Sequence, residues 1–357
     1  MEKRPKLNIA WVRGKGSIDW SQPNIFFAIG ARGAAKSSFL ELCATRCLDA
    51  GGKVVDVYAS KDSENLAWLR SDYVTSGNRK AILFRGDHVA VKSNHESIAT
   101  SQFKLSDLDR ADIFISANAC YSSMDDEFGG VNRILDTLWK RRSWTKPVCL
   151  IMREAANLVF SRLKIRPDQS LARSEIIYSC RESRHTGCGI LLDSLKPTSI
   201  DIDLRILSDY LILKNSGMYS LSKDLHWVYK TFSPSEMRKL QPREFVIIDR
   251  FGSLGFGTFD MPAFHKLTGE DIAKITGVEL EHFLGPVEGD ELRGVILEAI
   301  QALPPESEPN QVSVWLRDNK GRAITPSSIG KQLKGLGYMT KDTWRDGKIR
   351  NLIYPLP

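Results

Sequence analysis

Ile25-Phe26-Phe27-Ala28-Ile29-Gly30-Ala31-Arg32-Gly33-Ala34-Ala35-Lys36-Ser37-Ser38 is the stretch that decides how this chain folds. Five consecutive apolar residues predict a short strand covered on both faces. A glycine-bearing loop follows, and residues 36–50 read as a helix. A strand that runs through a tight loop into a helix aims successive backbone N–H groups at one point. The helix dipole adds positive charge there, so the loop is an anion cradle. The spacing approaches the phosphate-loop pattern GxxxxGK[ST]. Its candidate nucleotide-binding residues are Gly30, Ala31, Arg32, Gly33, Ala34, Ala35, Lys36, Ser37 and Ser38. Lys36 would reach the terminal phosphates, and the Ser37 hydroxyl is the candidate metal ligand, so the implied cofactors are ATP and Mg2+. Ala35 occupies the place of the second glycine in the pattern. The loop therefore needs a backbone conformation there that alanine tolerates, with Gly33 supplying freedom nearby.

Outward from this loop, short apolar runs alternate with amphipathic stretches from residue 24 to residue 215. Candidate strands are 25–29, 53–58, 81–84, 112–116, 148–152, 189–192 and 210–213, with helices at 36–50, 131–142 and 170–186 between them. The strands lack in/out alternation, as expected of a parallel sheet with helices on both faces. Right-handed crossovers then give a three-layer α/β sandwich whose loops gather at the C-terminal strand edge. Residues 244–249 read as a further strand, 261–265 as an exit onto the surface and 266–290 as a linker. The expected division is an ATPase domain over 1–265, the linker, and a second domain over 291–357.

A phosphate-loop enzyme also needs one carboxylate beside the metal and another to polarise water. Val148-Cys149-Leu150-Ile151-Met152-Arg153-Glu154-Ala155 is the segment with that form. Glu154 is the candidate general base; a salt-bridged structural acid in a weakened ATPase is the alternative. Arg153 stands where the metal-side acid is expected, and a guanidinium there would repel Mg2+. It either points away, pairs with Glu154 or contacts phosphate directly. Asp193, on the next candidate strand, is a possible replacement carboxylate.

The C-terminal part reads differently. An amphipathic helix at 292–303 is followed by a proline-rich break and a short helix at 311–317. Thr325-Pro326 then opens a third helix, with an N-cap residue and proline at its first position. Two strands, 338–344 and 348–354, flank Arg345-Asp346-Gly347, whose Asp-Gly pair favours a hairpin. Three helices and a hairpin are the order of a winged helix. From Arg317 to Pro357 there are nine cations against three acids, most of the excess of +7 carried by the whole chain. Candidate DNA contacts are Ser327, Ser328, Lys331, Gln332 and Lys334 on the third helix, and Arg345, Lys348 and Arg350 on the wing. A protein-docking winged helix is the alternative.

With 42% hydrophobic and 26% charged residues, the 357-residue chain has an ordinary globular balance. No apolar run approaches the roughly 18–20 residues of a membrane span. The basic N-terminus is not followed by a signal-peptide apolar region, and the six cysteines form no CxxC, so a cytoplasmic protein is expected. Cys43 and Cys47 read as packing residues, and His185 and His265 lack ligand partners in the sequence.

Taken together, residues 24–265 resemble the HerA/FtsK superfamily, and within it the TraG-like coupling proteins and archaeal viral DNA-packaging ATPases. Gly30–Ser38 resembles the Walker A loop and Leu150–Ala155 the Walker B strand. The segment from Cys180 through Leu192 is similar to the family's basic helix end, glycine and apolar strand. Met261-Pro262-Ala263-Phe264-His265-Lys266 resembles the exit segment of the packaging and coupling branch. The resemblance implies a RecA-like core of the additional-strand class, assembled as a homo-hexamer that moves double-stranded DNA, with a packaging or transfer protein as partner. It also implies an arginine finger reaching a neighbour's nucleotide, a role matched here by Arg184 and, second, by Arg181; a solvated helix face is the other reading of both. Leu195 departs from the family's phosphate-sensing glutamine, as Ala35 and Arg153 depart from its glycine and acid. These departures leave two functions open: a DNA translocase, or a nucleotide-gated DNA-binding or assembly protein with little hydrolysis.

Overall fold

A computed structural model of the chain describes residues 5–58, 63–87, 89–141, 146–153, 155, 169–195, 202–265, 277–282, 292–320, 326–333, 336–345 and 348–355. It divides into two compact units, Met1–His282 and Phe283–Pro357.

The strands of the first unit are β1 (Leu7–Arg13), β2 (Ile25–Ile29), β3 (Lys53–Tyr58), β4 (Ala81–Arg85), β5 (Val89–Lys92), β6 (Glu96–Ala99), β7 (Ile113–Ser116), β8 (Val148–Met152), β9 (Cys188–Ser194), β10 (Tyr210–Leu213), β11 (Glu244–Asp249), β12 (Leu254–Phe259) and β13 (Glu279–His282). Eleven of them form one sheet in the order β1-β12-β11-β10-β2-β9-β8-β3-β7-β4-β6. From β10 to β6 every pairing is parallel, whereas β11, β12 and β1 close one side as an antiparallel meander.

The helices are α1 (Lys36–Asp49), α2 (Asp72–Thr75), α3 (Met124–Trp139), α4 (Gln169–Arg181), α5 (Ser183–Thr186), α6 (Ile202–Leu207) and α7 (Pro234–Lys239). Alternate residues of β2 feed two separate cores. Ile25, Phe27 and Ile29 pack in the cluster that holds Phe128, Val131, Ile134 and Leu135 of α3. Phe26 and Ala28 pack in the cluster that holds Phe39, Leu40, Cys43 and Ala44 of α1. A strand with apolar residues on both faces thus becomes the middle of three layers. Ser123 starts α3 by accepting the Asp126 amide, and a Ser233–Glu236 capping box starts α7.

Several features depart from expectation. Leu7–Arg13 is an edge strand and Leu254–Phe259 the strand inside it, neither placed by the sequence reading, which also missed Val89–Lys92 and Glu96–Ala99. Glu279–His282, inside the expected linker, pairs antiparallel with Val89–Lys92 in the first unit.

The second unit has helices α8 (Leu292–Ala302), α9 (Pro309–Lys320) and α10 (Pro326–Leu333), then the antiparallel pair β14 (Tyr338–Arg345) and β15 (Lys348–Pro355). Its core is Ile296, Ala299, Val312, Leu316, Ile329, Leu333 and Ile353. The second helix is longer than the 311–317 expected. Among the described residues no helix is long and apolar enough to cross a membrane.

Candidate nucleotide site

The loop that leaves β2 is held from both sides. Gly30 donates its amide to the Ser194 carbonyl at 3.2 Å, and Ala31 donates to the Asn215 carbonyl at 2.7 Å. The loop therefore starts between the ends of β9 and β10. Glycine is required at position 30 by close approach, since a Cβ there would lie 2.6 Å from the Lys214 Cβ. At the far end of the loop Ala35 is left-handed, with φ 58° and ψ 42°. That explains why the pattern asks for glycine at this position: an L-residue in this region costs about 1–2 kcal/mol.

Three polar side chains open α1. Lys36 is largely buried, and its Nζ donates to the Ala31 carbonyl at 3.1 Å, folding the ammonium across the loop. Ser37 Oγ donates to Asp193 Oδ2 at 3.2 Å. Ser38 Oγ is buried with no hydrogen-bond partner among the described residues. An ammonium, a hydroxyl paired to a carboxylate and an orphaned buried hydroxyl, set at the first turn of α1, suit a phosphate with a divalent cation. Nothing in the donor set conflicts with ATP and Mg2+.

Arg153, expected beside the metal, is committed to acidic side chains. It follows β8, is 1% exposed, and its Nη2 lies 2.7 Å from Glu41 Oε1 and 2.8 Å from Asp56 Oδ2. Its Nη1 is 3.6 Å from Glu64 Oε2. Of the orientations open from sequence, pairing with Glu154 falls on a residue outside the described ones. Burial works against the charge on Arg153, but Asp56 and then Glu41 outweigh it and hold the guanidinium above its ordinary pKa. Burial pushes Asp56 up, with Arg153 pulling the other way. Trp68 Nε1 donates to Asp56 Oδ2 at 3.0 Å, and His265 Nδ1 meets Glu41 Oε2. The exit segment, 261–265, is thereby tied to α1. Sequence reasoning missed Glu41, Asp56 and Glu64; a charged residue on the apolar face of a helix, as Glu41 is, was the available signal.

Other expected residues fall elsewhere. Glu154 lies outside the described residues. Leu195, next after β9, is 47% exposed. Arg181 ends α4 and is exposed. Arg184 Nη2 donates to Asp209 Oδ1 at 3.2 Å, and Arg250 Nη1 donates to the same oxygen at 3.0 Å. Asp209 Oδ2 accepts the Ile25 amide at 3.0 Å, so this cluster sits where β2 begins, at the opposite sheet edge from Gly30. Burial raises the Asp209 pKa, opposed by the Ile25 amide and by Arg184.

Lys214, beside Gly30, was not anticipated. Its Nζ donates to the carbonyls of Pro242 at 2.6 Å and Glu244 at 2.9 Å, 4.5 Å from the Phe259 ring centroid. Burial, then repulsion from Lys36, push it down to about 7. All six cysteines are free and buried. Among the described residues no group of His, Cys, Asp and Glu side chains is arranged to hold a metal by itself.

In the second unit, Ser327, Ser328, Lys331 and Gln332 lie on α10, and Arg345, Lys348 and Arg350 on the hairpin. Arg350 Nη1 is 3.6 Å from Glu308 Oε1. Lys334 lies outside the described residues.

The sheet order decides the fold class. One strand, β9, separates β2, which leads into residues 30–38, from β8, in a large, mainly parallel sheet covered by helices. This is a three-layer α/β P-loop NTPase fold. No family model and no curated protein matches the chain. Among solved structures it is similar to the genome packaging NTPase B204 of Sulfolobus turreted icosahedral virus 2 in complex with AMP, at 16% identity and a TM-score of 0.39, covering 69% of this chain and 98% of that one. It is also similar to the pCW3 conjugation coupling protein TcpA, in its monomer form with ATPgS, at 12% identity and a TM-score of 0.37, covering 72% of this chain and 66% of that one. The EccC protein of Thermomonospora curvata (ATPases 2 and 3, with a signal sequence peptide) is 13% identical with a TM-score of 0.39, covering 73% of this chain and 43% of that one. At these identities and scores the likenesses carry no residue role and no activity across.

Proposed function

We propose that the first unit is a HerA/FtsK-type ATPase that binds ATP with Mg2+ and drives a ring of copies along double-stranded DNA. The observation that carries this reading is the run of Lys36, Ser37 and Ser38 at the first turn of α1, with the ammonium folded onto the loop, one hydroxyl on Asp193 and one buried without a partner. Lys36 would leave the Ala31 carbonyl for the terminal phosphates, a move of one side chain. The first-turn amides of α1 would hold the phosphates in place, since no helix residue can accept from them. Ser37 would hold Mg2+, which would supply charge neutralisation to the phosphates. Glu154 would polarise the attacking water. Arg184, with Arg181 second, would serve the neighbour's phosphates. The second unit would dock DNA as a winged helix, through α10 and the hairpin cations, or engage a packaging or transfer protein. The test is ATPase rate with and without duplex DNA, alongside mass by light scattering with ATP. Stimulation by DNA that disappears in Lys36→Ala is expected; a measurable rate indifferent to saturating duplex overturns the motor.

A second reading is favoured by one observation, the commitment of Arg153 to Glu41 and Asp56 rather than to an acidic metal site. In that reading nucleotide gates DNA affinity or assembly with negligible turnover. Nucleotide-dependent DNA binding without phosphate release would select it.

A further inference from the structure

We propose that Asp193 is the metal-side carboxylate of this site, taking over from β9 the place that β8 has given to Arg153. The inference rests on the reading of residues 30–38 as a nucleotide cradle. Asp193 and Ala28 are partners in the parallel β9–β2 ladder, so the carboxylate enters at the level where β2 turns into the loop. It is 1% exposed, and its Oδ2 accepts from Ser37 Oγ at 3.2 Å. A divalent cation bound there would take both oxygens as ligands.

The two oxygens are also the right kind. Mg2+ takes hard oxygen donors and is ordinarily held by one or two carboxylates together with substrate phosphates, keeping several waters. One acid beside a phosphate-loop hydroxyl is therefore a sufficient protein contribution. The residue after β8, where an acid would otherwise serve, carries a guanidinium closed into a pocket with Glu41 and Asp56. Arg153 is thereby kept from repelling the cation. The two strand ends have exchanged charge: the acid next to the hydroxyl comes from β9, and the residue after β8 is a cation paired with Glu41 and Asp56.

The experiment uses the full chain with ADP and Mn2+, read by electron paramagnetic resonance, and with a fluorescent ADP in Mg2+ or in EDTA. For the wild type, ADP is retained in EDTA and bound more tightly with Mg2+. Asp193→Asn should keep its affinity in EDTA while Mn2+ affinity of the ADP complex falls about tenfold or more. Asp193→Cys, which also serves if the Asn variant does not fold, should shift preference from Mn2+ toward Cd2+, because a thiolate is a soft ligand. A purely structural acid would not move that preference. Unchanged Mn2+ affinity in Asp193→Asn, or no gain for Cd2+ in Asp193→Cys, overturns the assignment while leaving the cradle intact. A folded wild type that binds ADP neither with nor without metal overturns the cradle, and this inference with it.

Discussion

Asp56 and Arg153 form an ion pair at 2.8 Å in which neither side chain is more than 1% exposed. Glu41 completes the arrangement from α1, so one guanidinium answers two buried carboxylates. Such a group holds together only as a whole. Arg153→Met would strand both acids without a counter-charge, and breaking a buried pair in this way costs about 3–5 kcal/mol. The loss should appear in chemical denaturation at pH 7 and shrink as pH falls, because burial already raises Asp56 and protonation relieves it once stranded. Arg153→Asp should be worse still, adding a third acid to the cluster. It is expected to unfold the first unit rather than to quicken hydrolysis, and soluble, folded Arg153→Asp protein with raised turnover would contradict this.

The left-handed Ala35 gives a prediction of opposite sign. Ala35→Gly relieves the backbone at φ 58°. It should stabilise the first unit by about 0.5–1 kcal/mol, part of the gain being returned by the freer unfolded chain. Ala35→Val should lower the melting temperature, since a β-branched residue suits that region worse. Thermal melts of the three proteins without nucleotide would check the order Gly, Ala, Val.

Lys214 supplies a pH dependence. Its folded pKa is lowered from 10.5 to about 7. Between those values the unfolded chain binds a proton that the folded chain does not, so stability rises with pH across that window. Below pH 7 both states are protonated and the cost of the buried charge is fully present. The carbonyls of Pro242 and Glu244 and the Phe259 ring favour the charged form and limit the effect. Relative to Lys214→Met, the wild type should gain stability from pH 7 to 10, by at most about 1.4 kcal/mol per unit. Parallel curves for the two proteins would show that Lys214 does not titrate there.

The second unit can be tested by salt. If it docks duplex DNA through its hairpin, replacing Lys348 and Arg350 by Gln should reduce the slope of log affinity against log salt by about one per residue. Sequence preference should not change. Fluorescence anisotropy across a range of potassium chloride concentrations would measure both, and an unaltered slope would remove the hairpin from the DNA interface.

The strand–loop–helix at 25–38 was legible because every part of it is local: an apolar run, glycines, Lys-Ser, then a helix. The parallel strands were legible for a related reason, since burial on both faces leaves continuous apolar runs such as Val148–Met152. β1 and β12 were not, because Ile9 pairs with Gly257 far along the chain, and the glycines of Leu254–Phe259 mask its strand character. The environment of Arg153 was hidden for the same reason. Its partners come from α1, from β3 and from Glu64, three segments that only the fold brings together. Asp193 was visible as a polar residue closing an apolar run; the contact that gives it meaning, Ser37 Oγ, lies 156 positions away.

Arg184 sits beside Asp209, whose other oxygen holds the amide of Ile25 at the start of β2. At ~3.3 Å per residue, the five residues from there to Gly30 span about 16 Å. No rotation of one side chain bridges that gap, so this arginine is out of range of the nucleotide on its own polypeptide. Under the proposed function, the phosphate that Arg184 answers would therefore belong to a neighbouring copy, and a lone subunit would hold half of a working pair.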